Sequence, residues 1–244
     1  MVPPSATTLK FTTEAKGAPM SIGALYADGR GRISDLVSGL GEEAAAPVPA
    51  CPQWSVHDVV AHVTGVCADI LAGNLAGVAT DLWTAAQVEA RRDRTIDEVV
   101  AEWSELAPHV EAMSDNFGPA GNQLVADLTT HEHDIRGALG RPGARDSVGV
   151  MVAAEFVVTM GLDQSLNAHG LPALEVRAGE QSWVVGGTEP SGRLEAPTFE
   201  LMRALTGRRS RRQIRALGWT VDPAPYLSAF QFGPFTTSPT DLEE

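Results

Sequence analysis

Asp127 and His131 stand four residues apart, the separation that places two side chains one above the other on a single face of an α-helix. A carboxylate and an imidazole in that relation are two ligands for a divalent cation. His62, among the apolar face residues Val59, Val63, Val66 and Ile70, offers a third from an earlier helix. Two imidazoles and one carboxylate suit zinc, and other first-row divalent metals accept the same donors. Three protein ligands leave a fourth position for water, a thiol or a substrate, which is the layout of a catalytic rather than a structural site. A metal held there would lower the pKa of a coordinated water or thiol and turn it into a nucleophile. A lone buried histidine is more often a hydrogen-bonded core residue than a ligand, so His62 on its own does not establish the site.

The residues around His131 divide by helical phase. Asp134 follows it by three positions and either orients its second ring nitrogen or pairs with Arg136 or Arg141 at the helix end. His133 and Glu132 diverge from His131 by 100° or more around the helix, so both are inferior ligands, and Glu132 is expected in solvent or a surface ion pair. A metal-dependent hydrolase would need Asp134 or Glu132 as base for metal-bound water. The string His131-Glu132-His133 lacks the HExxH spacing of zincins. Cys67, five residues beyond His62, is poorly aligned for ligation and reads as a packed, reduced thiol. Arg208, Arg209, Arg211, Arg212 and Arg215 form the main basic island. It reads first as a solvated helix face, with one inward arginine as the functional alternative.

Helical elements must position these groups. Ile22, Leu25, Ile33, Leu36, Val37 and Leu40 predict a helix over 22–40, with Gly29-Arg30-Gly31 as a point of interruption. Ser55 and Asp58 form a capping box that starts a helix at Val56, and Trp54 is placed to staple against Val59. Thr95 and Glu98 open another, kinked at Pro108, that carries Val99, Trp103, Leu106, Val110 and Met113. The helix bearing Asp127 and His131 runs from about Asn122 to Leu139 and ends at Gly140 and Pro142. Ser147 starts a further helix that ends near Gly170. Beyond it LEVRAG, SWVVGG and GRLEAP read as short strands, 198–205 as a helix, and Ser210-Arg211-Arg212-Gln213 as the capped start of another. The chain thus reads as α+β, a bundle of four to five helices over 18–170 and a small α/β unit over 171–244, preceded by an irregular lead-in to residue 18.

At 244 residues and 43% hydrophobic the chain can bury a sizeable core. A net charge of −13 disfavours nucleic acid and anionic membrane surfaces as partners. No unbroken apolar run reaches membrane-spanning length, and the first residues lack the apolar core of a signal peptide, so the cytoplasm is expected. Cys51 and Cys67 offer no disulfide framework. GxGxxG, GxxxxGK[ST] and GxSxG are all absent, which leaves nucleotide binding and α/β-hydrolase chemistry without support.

WSVHDVVAHVTG (54–65) with THEHDIRGALGRPG (130–143) resembles the metal-binding N-terminal domain of the mycothiol-dependent maleylpyruvate isomerase family, within the wider DinB-like bundle superfamily. APTFELMRALTGRRSRRQIRALGW (196–219) is similar to the C-terminal region often attached to it, a small sterol-carrier-like domain. The resemblance covers about residues 20 to 235. It implies a histidine ending W-S-x-x-D-x-x-A-H and a Glu-x-x-x-His pair as ligands, matched by His62 and His131, with Asp127 at the glutamate position on a shorter arm. It also implies mycothiol as thiol cosubstrate, adding to the cis double bond of a small electrophile and leaving after rotation. By the same analogy Arg208 or Arg209 binds an anionic substrate or cofactor, and Asp134 is a further catalytic candidate. The expected function is a mycothiol-dependent isomerase or S-transferase. A metal-dependent hydrolase and a nonenzymatic, metal-stabilised small-molecule binding protein are the alternatives. Monomer and homodimer are both open, and many bundles of this kind share ligands while differing in substrate.

Overall fold

The computed structural model describes residues 20–244; the lead-in expected up to residue 18 lies outside them. α1 (Ile22–Val37) begins at Ser21, whose hydroxyl accepts from the Ala24 amide. It runs through Gly29 and Gly31 without a break. A Cβ on Gly29 would lie 2.9 Å from Leu128 Cδ2, so the glycine lets α1 close onto the helix that carries Asp127 and His131. A short antiparallel hairpin, β1 (Pro47–Val48) and β2 (Cys51–Ser55), precedes α2 (Val56–Ala72). The Ser55–Asp58 capping box starts α2 where the sequence places it, and Gly73, at φ +70°, ends it.

α3 (Asp81–Glu89) follows, then α4 (Ile96–Ser114) behind its Thr95–Glu98 capping box, then α5 (Pro119–Leu139), which ends at left-handed Gly140. One core joins these elements through Tyr26 and Ile33 of α1, Val59 and Val63 of α2, Val99 and Trp103 of α4, and Leu128 and Ile135 of α5. The polar atoms of Tyr26, Trp103 and Cys67 meet one another inside it. Trp103 Nε1 donates to Tyr26 Oη at 3.2 Å, and that hydroxyl meets Cys67 Sγ at 3.2 Å, so Cys67 is a packed thiol away from the candidate ligands.

α6 (Val148–Phe156), capped by Ser147, passes without a break through a π-helical stretch at Val157–Leu162 into α7 (Asp163–Ala168). By length and composition alone Val148–Ala168 could cross a membrane, but both of its halves are packed against protein. Val150, Ala153 and Ala154 pack with Ala126 of α5 and with Phe199 and Met202 of α8 (Thr198–Leu205). Val157, Val158, Leu162 and Leu166 enter the second core, under a four-stranded sheet. That sheet has the order β4-β3-β5-β6, built from β3 (Leu174–Ala178), β4 (Gln181–Val185), β5 (Gly192–Glu195) and β6 (Gly218–Trp219). β3 pairs antiparallel with β4 and parallel with β5. Leu174, Val176 and Ala178 alternate inward as a one-sided sheet requires. α9 (Arg211–Arg215), opened by the Ser210–Gln213 capping box, and a 3₁₀ turn at Ala224–Phe230 complete the unit. The result is a helical bundle followed by a small mixed region, as the hydrophobic periods predict.

Candidate metal centre

α2 delivers His62 and α5 delivers Asp127 and His131 to one place. One ligand atom from each lies within 4.8 Å of the other two. His62 Nε2 is 3.7 Å from Asp127 Oδ2, and His131 Nε2 is 3.6 Å from Asp127 Oδ1. Both imidazoles are buried, whereas the Asp127 side chain is 37% exposed, so the cluster opens towards solvent on the carboxylate side. Trp54 tilts over both rings, with centroids 5.1 Å from His62 and 5.9 Å from His131, and Trp83 of α3 stands edge-on to His62 at 6.4 Å. Trp54 therefore walls the cluster as well as preceding the cap.

Hydrogen bonding behind the rings decides what faces the centre. Gln87 Nε2 donates to Asp69 Oδ2 at 2.6 Å, which leaves Gln87 Oε1 to accept from His62 Nδ1 at 2.7 Å. His131 Nδ1 donates to Asp134 Oδ2 at 3.1 Å. With both Nδ1 atoms turned to these acceptors, each ring presents its Nε2 towards Asp127. Burial favours the protonated form of Asp127, but the neighbouring His62 and His131 outweigh it and hold the carboxyl below its ordinary value. Two imidazole nitrogens and a carboxylate converge on one place. That donor set fits a divalent cation.

Asp134 is the hub behind His131. Its carboxylate has no exposed surface and accepts from Arg203 Nη2 at 2.8 Å and from Arg208 Nη2 at 2.7 Å and Nε at 3.2 Å. Burial would push the Asp134 pKa up, but Arg208 and Arg203 hold it well below the usual carboxylate range. The Asp134 charge in turn raises Arg208 above its ordinary value against the effect of burial. Asp134 thus orients His131 and has its partners in the C-terminal unit, while Arg136 and Arg141 go elsewhere, Arg141 to Glu43. Cys51 Sγ sits beside the pair, 3.3 Å from Arg208 Nη2 and 3.7 Å from Asp134 Oδ2. Burial and then the Asp134 charge push its thiol up to about 12.

The basic island divides. Arg208 reaches the hub and Arg209 does not. Arg209 pairs with Glu200 at 2.7 Å and Glu244 at 3.1 Å, while Arg211, Arg212 and Arg215 are exposed. Glu132, expected at the surface, is wholly buried and held by Arg32 at 2.8 Å and Arg136 at 2.9 Å, because α1 covers the face of α5 that carries it. His133 packs against Phe199 at 4.7 Å, and burial, then Arg203 and Arg136, push it down to about 3, so it stays neutral. Both base candidates for hydrolysis, Asp134 and Glu132, are tied to arginines.

Sequence reasoning missed Arg203, Gln87 and Cys51. Arg203 carried a readable signal, a lone charge among Leu201, Met202, Ala204 and Leu205. Gln87 and Cys51 carried none.

Fold and site together define a bundle protein with an open cluster of two histidines and one carboxylate, braced by a C-terminal α/β unit. Residues 26–136 match the family model described as the mycothiol maleylpyruvate isomerase N-terminal domain. The crystal structure of the mycothiol-dependent maleylpyruvate isomerase is similar over 82% of this chain and 92% of its own, with a TM-score of 0.56 and 11% identity. A mutant of that enzyme gives a TM-score of 0.53 at 10% identity over the same shares. At that identity the likeness is one of fold. No curated protein sequence matches the chain.

Proposed function

We propose that the chain is a mycothiol-dependent metalloenzyme of the maleylpyruvate isomerase type, which isomerises a small electrophile or transfers a thiol to it. The observation that carries this reading is the convergence of His62 Nε2, His131 Nε2 and Asp127 within 4.8 Å, open on one side. These three residues would hold the metal, with zinc the best match to the donors. When bound, it would supply the Lewis acidity that makes a thiol or water a competent anion near neutral pH.

The remaining roles belong to the protein. Gln87 and Asp134 fix the two ring tautomers, and Asp134 needs Arg203 and Arg208 to remain ionised in a buried position. Arg208 is therefore assigned as a positioning residue. Its guanidinium is spent on Asp134, Cys51 and the Thr206 carbonyl, while its charge still acts on Asp127. Trp54 and Trp83 shield the imidazoles from water. Two free cysteines suit a reducing cytoplasm, where a small thiol cosubstrate stays reduced. Metal-dependent hydrolysis is less favoured because its base candidates are engaged.

The test is metal content by mass spectrometry and mycothiol binding by calorimetry, on wild type and His62→Ala purified without chelator. One metal per chain and saturable thiol binding, both lost in the variant, are expected. Metal without thiol binding would move the reading to hydrolysis or a structural role, and absence of both would remove the site.

A further inference from the structure

α5 presents a second stripe, nearly opposite the one that carries Asp127 and His131. His133, Arg136 and Gly137 on that stripe line a cavity of about 290 Å³, together with Arg145, Phe199 and Glu244. At its edge are two arginines that are almost wholly buried, Arg203 at 0% and Arg209 at 4%. The Glu244 carboxylate lies between them. It accepts from Arg203 Nε at 2.8 Å, from Arg203 Nη2 and from Arg209 Nη1 at 3.1 Å.

Without that carboxylate, Arg203 Nε and one face of Arg209 would be buried donors lacking an acceptor, since their other bonds run to Asp134, the Thr130 carbonyl, Glu200 and the Arg208 carbonyl. The walls repeat the demand for an anion. The Arg145 guanidinium stands 4.9 Å above the Phe199 ring and, among the described residues, has no ion-pair partner. Buried His133 has an Nε2 with no hydrogen-bond partner. Planar forks of this kind match carboxylates in bidentate fashion, and the aromatic floor suits a short carbon skeleton more than a bare inorganic ion.

We propose that this cavity is a second binding site, separate from the metal cluster, for a small organic carboxylate, and that Glu244 occupies it in cis until such a ligand displaces it. An internal occupant lowers the apparent affinity for an external one by the fraction of time the cradle is free. Removing its charge should therefore reveal the site.

The experiment is calorimetric titration of malonate at constant ionic strength into wild type, Glu244→Gln, Glu244→Gln with Arg209→Ala, and Glu244→Gln with Arg145→Ala. Circular dichroism checks the fold of each. Glu244→Gln should bind malonate about ten-fold or more tighter than wild type, and either added arginine substitution should reverse most of that gain. Arg145 is exposed, so its substitution remains informative if loss of Arg209 disturbs folding. Malonate bound at the metal cluster would be indifferent to Arg145→Ala, since Arg145 pairs with none of the residues that brace that cluster, which keeps this result independent of the proposed enzymatic function. Equal malonate affinity in wild type and Glu244→Gln would overturn the proposal, as would a gain untouched by Arg145→Ala. Inorganic phosphate binding as tightly as malonate would overturn the assignment to an organic carboxylate.

Discussion

Asp134→Asn removes one charge and almost no volume, so its consequences follow directly from the contacts that the carboxylate makes. One of the two oxygens becomes an NH₂ group and confronts donors from Arg203, Arg208 or His131, which now approach at 2.7–3.1 Å. Breaking a buried charge pair from one side costs about 3–5 kcal/mol. Arg203 keeps the Thr130 carbonyl and Glu244, and Arg208 keeps the Thr206 carbonyl, which places the loss near ~3 kcal/mol on that scale. For a fold of this size each kcal/mol moves the midpoint by about 2–4 °C. Calorimetry of the metal-free variant should therefore show a Tm lower by about 6–12 °C.

The pH dependence has a definite sign. The Asp134 carboxyl is depressed in the folded state, so its stabilisation is present above the ordinary carboxylate pKa and is lost as pH falls through the folded value. The deficit of the variant should be constant above pH ~5 and shrink in acid. In a chelator competition the variant should also bind metal about 10–100-fold more weakly, because His131 loses the partner that fixes its tautomer. A Tm within about 2 °C of wild type, together with unchanged metal affinity, would refute the role given to Asp134.

Gln87→Ala should weaken metal binding about 10–100-fold through His62, measured by the same competition. Gly65→Ala should act in the same direction, because a Cβ there would lie 2.4 Å from Gln87 Cβ and α3 would have to move. With the Cys51 thiol at about 12, only about one molecule in ten thousand is thiolate at pH 8. Iodoacetamide should then leave Cys51 unmodified in native protein and label it after denaturation, and rapid native labelling seen by mass spectrometry would contradict the burial argument. Ser55→Ala removes the α2 cap bond to the Asp58 amide and should cost about 1 kcal/mol, read as a midpoint lower by about 2–4 °C.

Helix starts were legible because caps are local. Ser55, Thr95, Ser147 and Ser210 each act within three residues of themselves, and each opens the helix expected of it. The strands at 174–178 and 181–185 were legible through alternation. α3 was not, since Asp81–Glu89 buries only Gln87 and Val88 and so shows no stripe to read. Gln87 went unnoticed with it. The hairpin ahead of α2 was missed for a related reason, as its first strand is two residues long.

The site was legible as far as spacing within α5 could carry it, and illegible where distant segments meet. Helical phase correctly separates Glu132 from His131, but it cannot say that Arg32, one hundred positions away, covers that face. The arginine island shows the same limit. Arg208 and Arg209 precede the Ser210 cap and lie after Gly207, at φ +81°, so they turn inward from the loop, whereas Arg211, Arg212 and Arg215 follow the cap onto an exposed helix. A run uniform in composition is thus split by a turn and a cap. Arg203 obeys the logic that drew attention to His62, a polar group too costly to bury alone among apolar neighbours and so expected to meet a partner. Applied to both residues, that rule points to α5 from two directions, since His62 meets Asp127 and Arg203 meets Asp134 one turn beyond His131.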